Sequence, residues 1–279
     1  MISILQTYNL NTGETTVLKE FDSHIEAPNW TPDGRELVYN SDGRIYRFDL
    51  ASKVSTLVDT GDCNRCNNDH VLSADGQWLA ISAGTDAVPT SRVWTVPLAG
   101  GAPKLITEKM PSYLHGISPD GKTLAYCAER GGNFDVYTIP AEGGEEQRLT
   151  TAEGLDDGPE YSADGKHIWF NSVRTGLMQA WRMNADGSEQ TQMTFSEDMN
   201  SWFPHISPDG QKVVFVAYYT GDVAPGDHPA NKNVEVRFMN ADGSGLRTLF
   251  KAFGGQGTMN VNSWSPSSDA FAFVTYRLD

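Results

Sequence analysis

A four-residue turn recurs along the chain and constrains its fold more than any other feature. It reads TPDG at Thr31, SADG at Ser73, SPDG at Ser118, SADG at Ser162 and SPDG at Ser207, with a degenerate SPSSD at Ser265. The spacings are 42, 45, 44, 45 and 58 residues. Pro pre-sets φ, Asp bonds its own backbone and Gly accepts a left-handed conformation, so each copy predicts a type I turn. An apolar run follows every copy: LVYN from Leu37, WLAIS from Trp78, TLAYCA from Thr123, HIWFNS from His167, KVVFVA from Lys212 and AFAFVTY from Ala270. These runs barely alternate, as expected of strands buried on both faces.

A second strand recurs as LQTYNL from Leu5, IYRFDL from Ile45, VWTVPL from Val93, VYTIPA from Val136, AWRMNA from Ala180 and VRFMNA from Val236. A Gly-containing turn and a short strand such as QRLTT or TQMTF complete most units. Each repeat therefore holds four strands, A to D, over roughly 40–45 residues, which is the pattern of a β-propeller blade. Six A–B and six C–D hairpins predict an all-β, six-bladed propeller as one domain over 1–279. The chain begins with a C–D pair (about 4–19) and ends with an A–B pair (about 260–276), so its two ends are expected to complete one blade together.

Composition narrows function. Lys and Arg number 21 against 36 Asp and Glu, a net charge of −15. Such a chain repels phosphate, which argues against nucleic acid and against an anionic membrane surface. No run of 18 apolar residues is present, so no membrane-inserting helix is expected. Three Cys argue against a disulfide scaffold, and the lone Cys63-x-x-Cys66 pair lacks the second pair of a structural zinc site. The start, MISILQTYNLNTGE, has no basic segment followed by an apolar core, so a cytoplasmic location is expected as written; a leader removed beforehand would make it periplasmic.

The run FNSVRTGLMQAWRMNADGSEQTQMT, Phe170 to Thr194, resembles the repeat of the TolB propeller family at Ser172, Arg174, Gly176, Trp181, Met183, Asp186, Gly187, Ser188 and Thr194. The SADGK and SPDGQ turns fit the same pattern, and the likeness extends over essentially the whole chain. It implies the fold. It does not by itself assign a function, because such repeats also build gating propellers of serine peptidases and parts of lyases.

In four-stranded blades the A–B and C–D turns share one side, and the D–A and B–C loops share the other. The second side is irregular here. Its approaches to strand A read HIEAPNW from His24, CNNDHVL from Cys66, PSYLHGI from Pro111, LDDGPEY from Leu155, NSWFPHI from Asn200 and TMNVNSW from Thr258. It carries five of the six His (His24, His70, His115, His205 and His228) with Asn68, Asp69, Asp156 and Asn260 among its polar groups. The segment YYTGDVAPGDHPANKN from Tyr218 lengthens that side by roughly ten residues, and long irregular loops in compact domains often carry function. No GxSxG, P-loop or GxGxxG motif occurs.

Two functional readings follow. The first is a non-catalytic module that needs no cofactor and binds a peptide or protein segment, basic to suit the charge. Glu26, Asp157 and Glu160 would supply charge, and His70, His115 and His205 hydrogen bonds. Trp202 and Tyr113 would be aromatic anchors, with His24 and Asn262 completing the set. The second is a metal-assisted hydrolase or lyase on a small sugar-like or lactone substrate. There His and carboxylate would hold a divalent ion that polarises a carbonyl or stabilises an enolate.

Overall fold

The chain folds as its turns predict. The computed structural model describes residues 1–278. In each turn the first hydroxyl donates to the Asp two residues on, as from Thr31 to Asp33 (2.7 Å) and from Ser118 to Asp120 (2.7 Å). The same oxygen then accepts the backbone N–H five residues on, as from Glu36 (3.0 Å) and Thr123 (2.9 Å). The degenerate sixth copy keeps the turn with one change: Ser265 donates to Asp269, four residues on (3.0 Å), still accepts the Ala270 N–H (3.2 Å), and Ser268 takes the left-handed place of glycine at φ 59°.

Five antiparallel sheets have four strands each. Their innermost strands are Glu26–Trp30, Arg65–Leu72, Ser112–Ile117, Asp156–Tyr161 and Met199–Ile206. The next strand in each is buried along nearly its whole length, as at Val213–Tyr218. In four blades the outer strand shrinks to two or three residues: Ser55–Leu57, Lys104–Leu105, Gln147–Arg148 and Thr191–Gln192. That is shorter than the sequence suggests, and short outer strands offer little template for pairing with another chain.

The sixth sheet closes the ring. Ile2–Asn9 pairs with Ala270–Arg277 from Ile2↔Arg277 to Asn9↔Ala270, and Thr15–Phe21 forms the outer edge. Its innermost strand, expected from Thr258, is reduced to one bridge, Trp264↔Phe271, after a 3₁₀ turn at Gln256–Thr258. The Asn262 side chain accepts the Trp264 N–H (3.1 Å), a local bond that competes with the ladder. Apolar clusters fill the space between blades; one joins Trp169 and Ala180 to Met199, Phe215 and Met239. No helix among the described residues is long and apolar enough to cross a membrane.

Candidate functional site

The five regular innermost strands share an irregularity that shapes the channel. Each shifts register against its neighbour shortly before the turn: between Glu26 and Asn29, Cys66 and His70, Leu114 and Gly116, Asp157 and Glu160, and Trp202 and His205. In three of them the bulge holds a residue at positive φ followed by Pro: Ala27 (54°), Gly158 (63°) and Phe203 (55°). The innermost strand has a free edge, so a Pro without N–H costs no ladder bond there. Bulges re-aim side chains, and here they turn polar groups into the channel.

The result is a cavity of about 510 Å³ at the loop-bearing mouth. Tyr113, Phe134, Leu155 and Phe203 give it apolar walls. Its floor holds Asp69, His115, Asp157 and Asn260, all buried. His115 Nε2 lies 3.2 Å from Asp157 Oδ1 and 3.8 Å from Asp69 Oδ1, and its ring stacks on Phe203 with centroids 5.7 Å apart. Asp157 Oδ1 also accepts the Gly158 N–H (2.7 Å). Asp69 accepts from Asn260 Nδ2 (2.6 Å) and Asn67 Nδ2 (2.6 Å). The long loop brings His228 over the mouth, 3.9 Å from Asp157 Oδ2 and edge-on to Trp202 at 4.3 Å.

Burial and charge move these groups in different directions. Burial opposes ionisation of Asp157, but the His115 imidazole, His228 and the Gly158 N–H outweigh it and hold the carboxyl at about 2. Asp69 is raised by burial, which the more distant His115 only partly offsets, and by repulsion from Asp157. Burial alone would lower His115; the two carboxylates overcome it and raise its pKa. On the same wall Cys127 is buried and its thiol is pushed well up by burial, so it is no thiolate nucleophile.

The structure divides the sequence-predicted residues into groups. Tyr113, His115 and Asp157 line the cavity together. His24 and Glu26 pair at the rim (3.2 Å) and reach the floor through Asn68, which donates to Glu26 (3.4 Å) and accepts from Asn260 (3.3 Å). Glu160, His205 and Asn262 form a layer below. Glu160 accepts from His205 Nδ1 (2.7 Å), the Ile206 N–H (2.9 Å) and Asn262 Nδ2 (2.6 Å), while His205 Nε2 faces Met259 O at 3.1 Å. Trp202 is fully buried behind the wall, so it presents no face to a ligand. His70 lies in the core against Val38 O (3.4 Å). Asp69, Asn260 and His228, which the sequence placed on this side without giving them a role, complete the cavity together with Phe203.

Burial lowers the His70 pKa to about 4, against an ordinary value near 6.5, so the fold favours its neutral form. This contribution is intact above the unfolded value and is lost as pH falls toward the folded one. Between pH 7 and 4.5 the native state is expected to lose about 2 kcal/mol through this group alone. Urea unfolding of wild type and His70→Leu at both pH values checks it. The variant should lose visibly less; equal losses would mean that His70 does not carry the effect.

Among the described residues no group of three or more His, Cys, Asp or Glu side chains is placed to hold a metal ion. His115, Asp69 and Asp157 engage one another instead.

The sequence profile of the TolB beta propeller domain matches residues 111–267. The chain belongs to the TolB β-propeller family. It is 47% identical over 277 residues to the uncharacterised protein Atu1656 of Agrobacterium fabrum, covering 99% of this chain and 93% of that one. The structure of a TolB-like protein from Agrobacterium tumefaciens matches this TolB propeller with a TM-score of 0.95 at 47% identity, over 100% of this chain and 99% of the other. TolB from Acinetobacter baumannii shares the fold, with a TM-score of 0.69 at 19% identity over 91% of this chain and 64% of that one. An oligogalacturonate lyase in complex with manganese also shares the fold, with a TM-score of 0.57 at 15% identity over 90% and 73% of the two chains.

Proposed function

We propose that this TolB propeller is a non-catalytic binding module that takes a peptide or protein segment at the loop-bearing channel mouth. The observation that carries the reading is the cavity itself: about 510 Å³, with apolar and aromatic walls above a floor of buried, mutually bonded polar groups. Pockets that hold ligands have this size and this division between apolar walls and a few fixed polar contacts. A charge of −15 favours approach by a basic segment.

The test compares proteins retained from lysate by wild type, by a Tyr113→Arg/Phe134→Arg variant and by Pro119→Arg, which alters the opposite mouth. Cross-links are then mapped on the propeller. Partners should be kept by wild type and Pro119→Arg, lost at least tenfold from the double variant, and cross-linked to the 220–231 loop. Retention of the same partners by the double variant would sink the assignment.

A further inference from the structure

The cavity is a blind well, and its chemistry is graded from rim to floor. The rim residues Phe134, Leu155 and Gln256 are part-exposed and Gly226 is exposed, whereas Asp69, Asp157 and Asn260 at the floor are buried. Below them the Glu160, His205 and Asn262 layer fills the channel, its hydrogen bonds closed on itself. Asn262 and Ile206 already belong to a separate cavity at the opposite mouth. A ligand therefore enters the well end-on and stops at the carboxylates.

The floor has more acceptors than donors. The Gly158 N–H, His115 Nε2, Asn67 Nδ2 and Asn260 Nδ2 are spent on Asp157 and Asp69. Asp157 also has the Cys127 thiol against it on the cavity wall, a weak donor, and its Oδ2 lies 3.9 Å from the His228 imidazole, beyond hydrogen-bond reach. Asn260, fully buried on the cavity wall, has no hydrogen-bond partner at its Oδ1. An unpartnered buried acceptor is uncommon enough to require a reason. A group that only donates, in several directions and with positive charge, meets this surplus, and a primary ammonium has that chemistry.

We infer that the well takes a primary ammonium carried at the tip of an apolar body: the free N-terminus of a peptide or protein whose first side chain is apolar or aromatic. This deepens the proposed function and rests on it. The wide walls of Tyr113, Phe134, Leu155 and Phe203 favour a terminus over a lysine, because a slender lysine stem would leave much of the volume empty. Burial of the floor explains how one charge gives selectivity: without a cation, an entering ligand would cover Asp157 and leave it short of a donor.

The experiment uses the full propeller and dye-labelled tetrapeptides X-Ala-Ala-Gly, with Leu, Ile, Phe or Tyr first. Each is measured with a free and with an acetylated N-terminus, beside acetyl-Gly-Lys-Ala-Gly. Free-amine peptides should bind at least tenfold tighter than their acetylated forms and than the internal lysine peptide. Asp157→Asn should remove most of that difference. Acetylation changes only the ligand, so the result stands even if the variant folds poorly. Equal binding of free and acetylated peptides overturns the inference, as does preference for the internal lysine. Failure of every peptide to bind, while cross-links still map to the mouth, also overturns it and leaves the binding module standing. Partners retained equally by the mouth variant would instead remove the binding module.

Discussion

Trp202→Ala is expected to lower the free energy of unfolding by about 3–5 kcal/mol. Trp202 is fully buried in a cluster that includes Met178, Phe203, Val214, Val216 and Trp264. Its ring centre is 5.4 Å from that of Phe203 and 4.3 Å from that of His228. Truncation therefore empties a large volume behind the cavity wall and removes the surface on which the long loop rests. Such a loss would be a large share of the roughly 5–15 kcal/mol that holds a typical domain together. Trp202→Phe keeps most of the packing and should cost much less. Urea unfolding of both variants checks the prediction. A loss below about 1 kcal/mol for Trp202→Ala would mean that the ring is not a packing element and is free to act as a ligand anchor.

The second large effect concerns Glu160. Its two oxygens accept three donors on two segments of chain: His205 and the Ile206 backbone at the end of one inner strand, and Asn262. Glu160→Ala leaves all three without that partner, two of them, His205 and the Ile206 N–H, on buried residues. Leaving a buried donor unsatisfied typically costs about 1–3 kcal/mol, and with three donors orphaned a loss of roughly 3–5 kcal/mol is expected here. Glu160→Gln separates charge from bonding. Its amide oxygen still accepts from Ile206 and Asn262, and its amide N–H can serve a His205 that presents Nδ1 as acceptor while Nε2–H donates to Met259 O. That variant should lose only about 1–2 kcal/mol. If Gln proves as damaging as Ala, the carboxylate's charge, and not its bonding, holds the layer together.

The fold was legible because its information is local and repeated. The hydroxyl–Asp–Gly turns state their own geometry, and the apolar runs after them state that they are buried. The site was only partly legible because its determinants are bulges. Ala27-Pro28, Gly158-Pro159 and Phe203-Pro204 share a written signal, a residue before Pro within an inner strand, but nothing in one sequence says which way the displaced side chains turn. Hence Glu160 and His205, chosen for their chemistry, satisfy each other one layer too deep. Asp157 and His115, chosen on the same grounds, reach the cavity. His228 was visible as the histidine of the long loop, yet its approach to Asp157 depends on how that loop folds back. Asn262 was read as part of a strand, whereas its side chain replaces a ladder bond.

The sheet closed by both ends of the chain sets an order of events during synthesis. Ile2–Asn9 leaves the ribosome before the other five blades, and its partner Ala270–Arg277 follows all of them. At roughly 5–20 residues per second, the first strand waits about 15–55 s for the last. Throughout that interval one edge of the Ile2–Asn9 hairpin carries unpaired backbone groups, and the other five blades form an open arc. A nascent propeller of this kind is most exposed to pairing with a neighbouring copy just before it is finished, so its sensitivity to crowding by its own kind should track translation speed over the final blade.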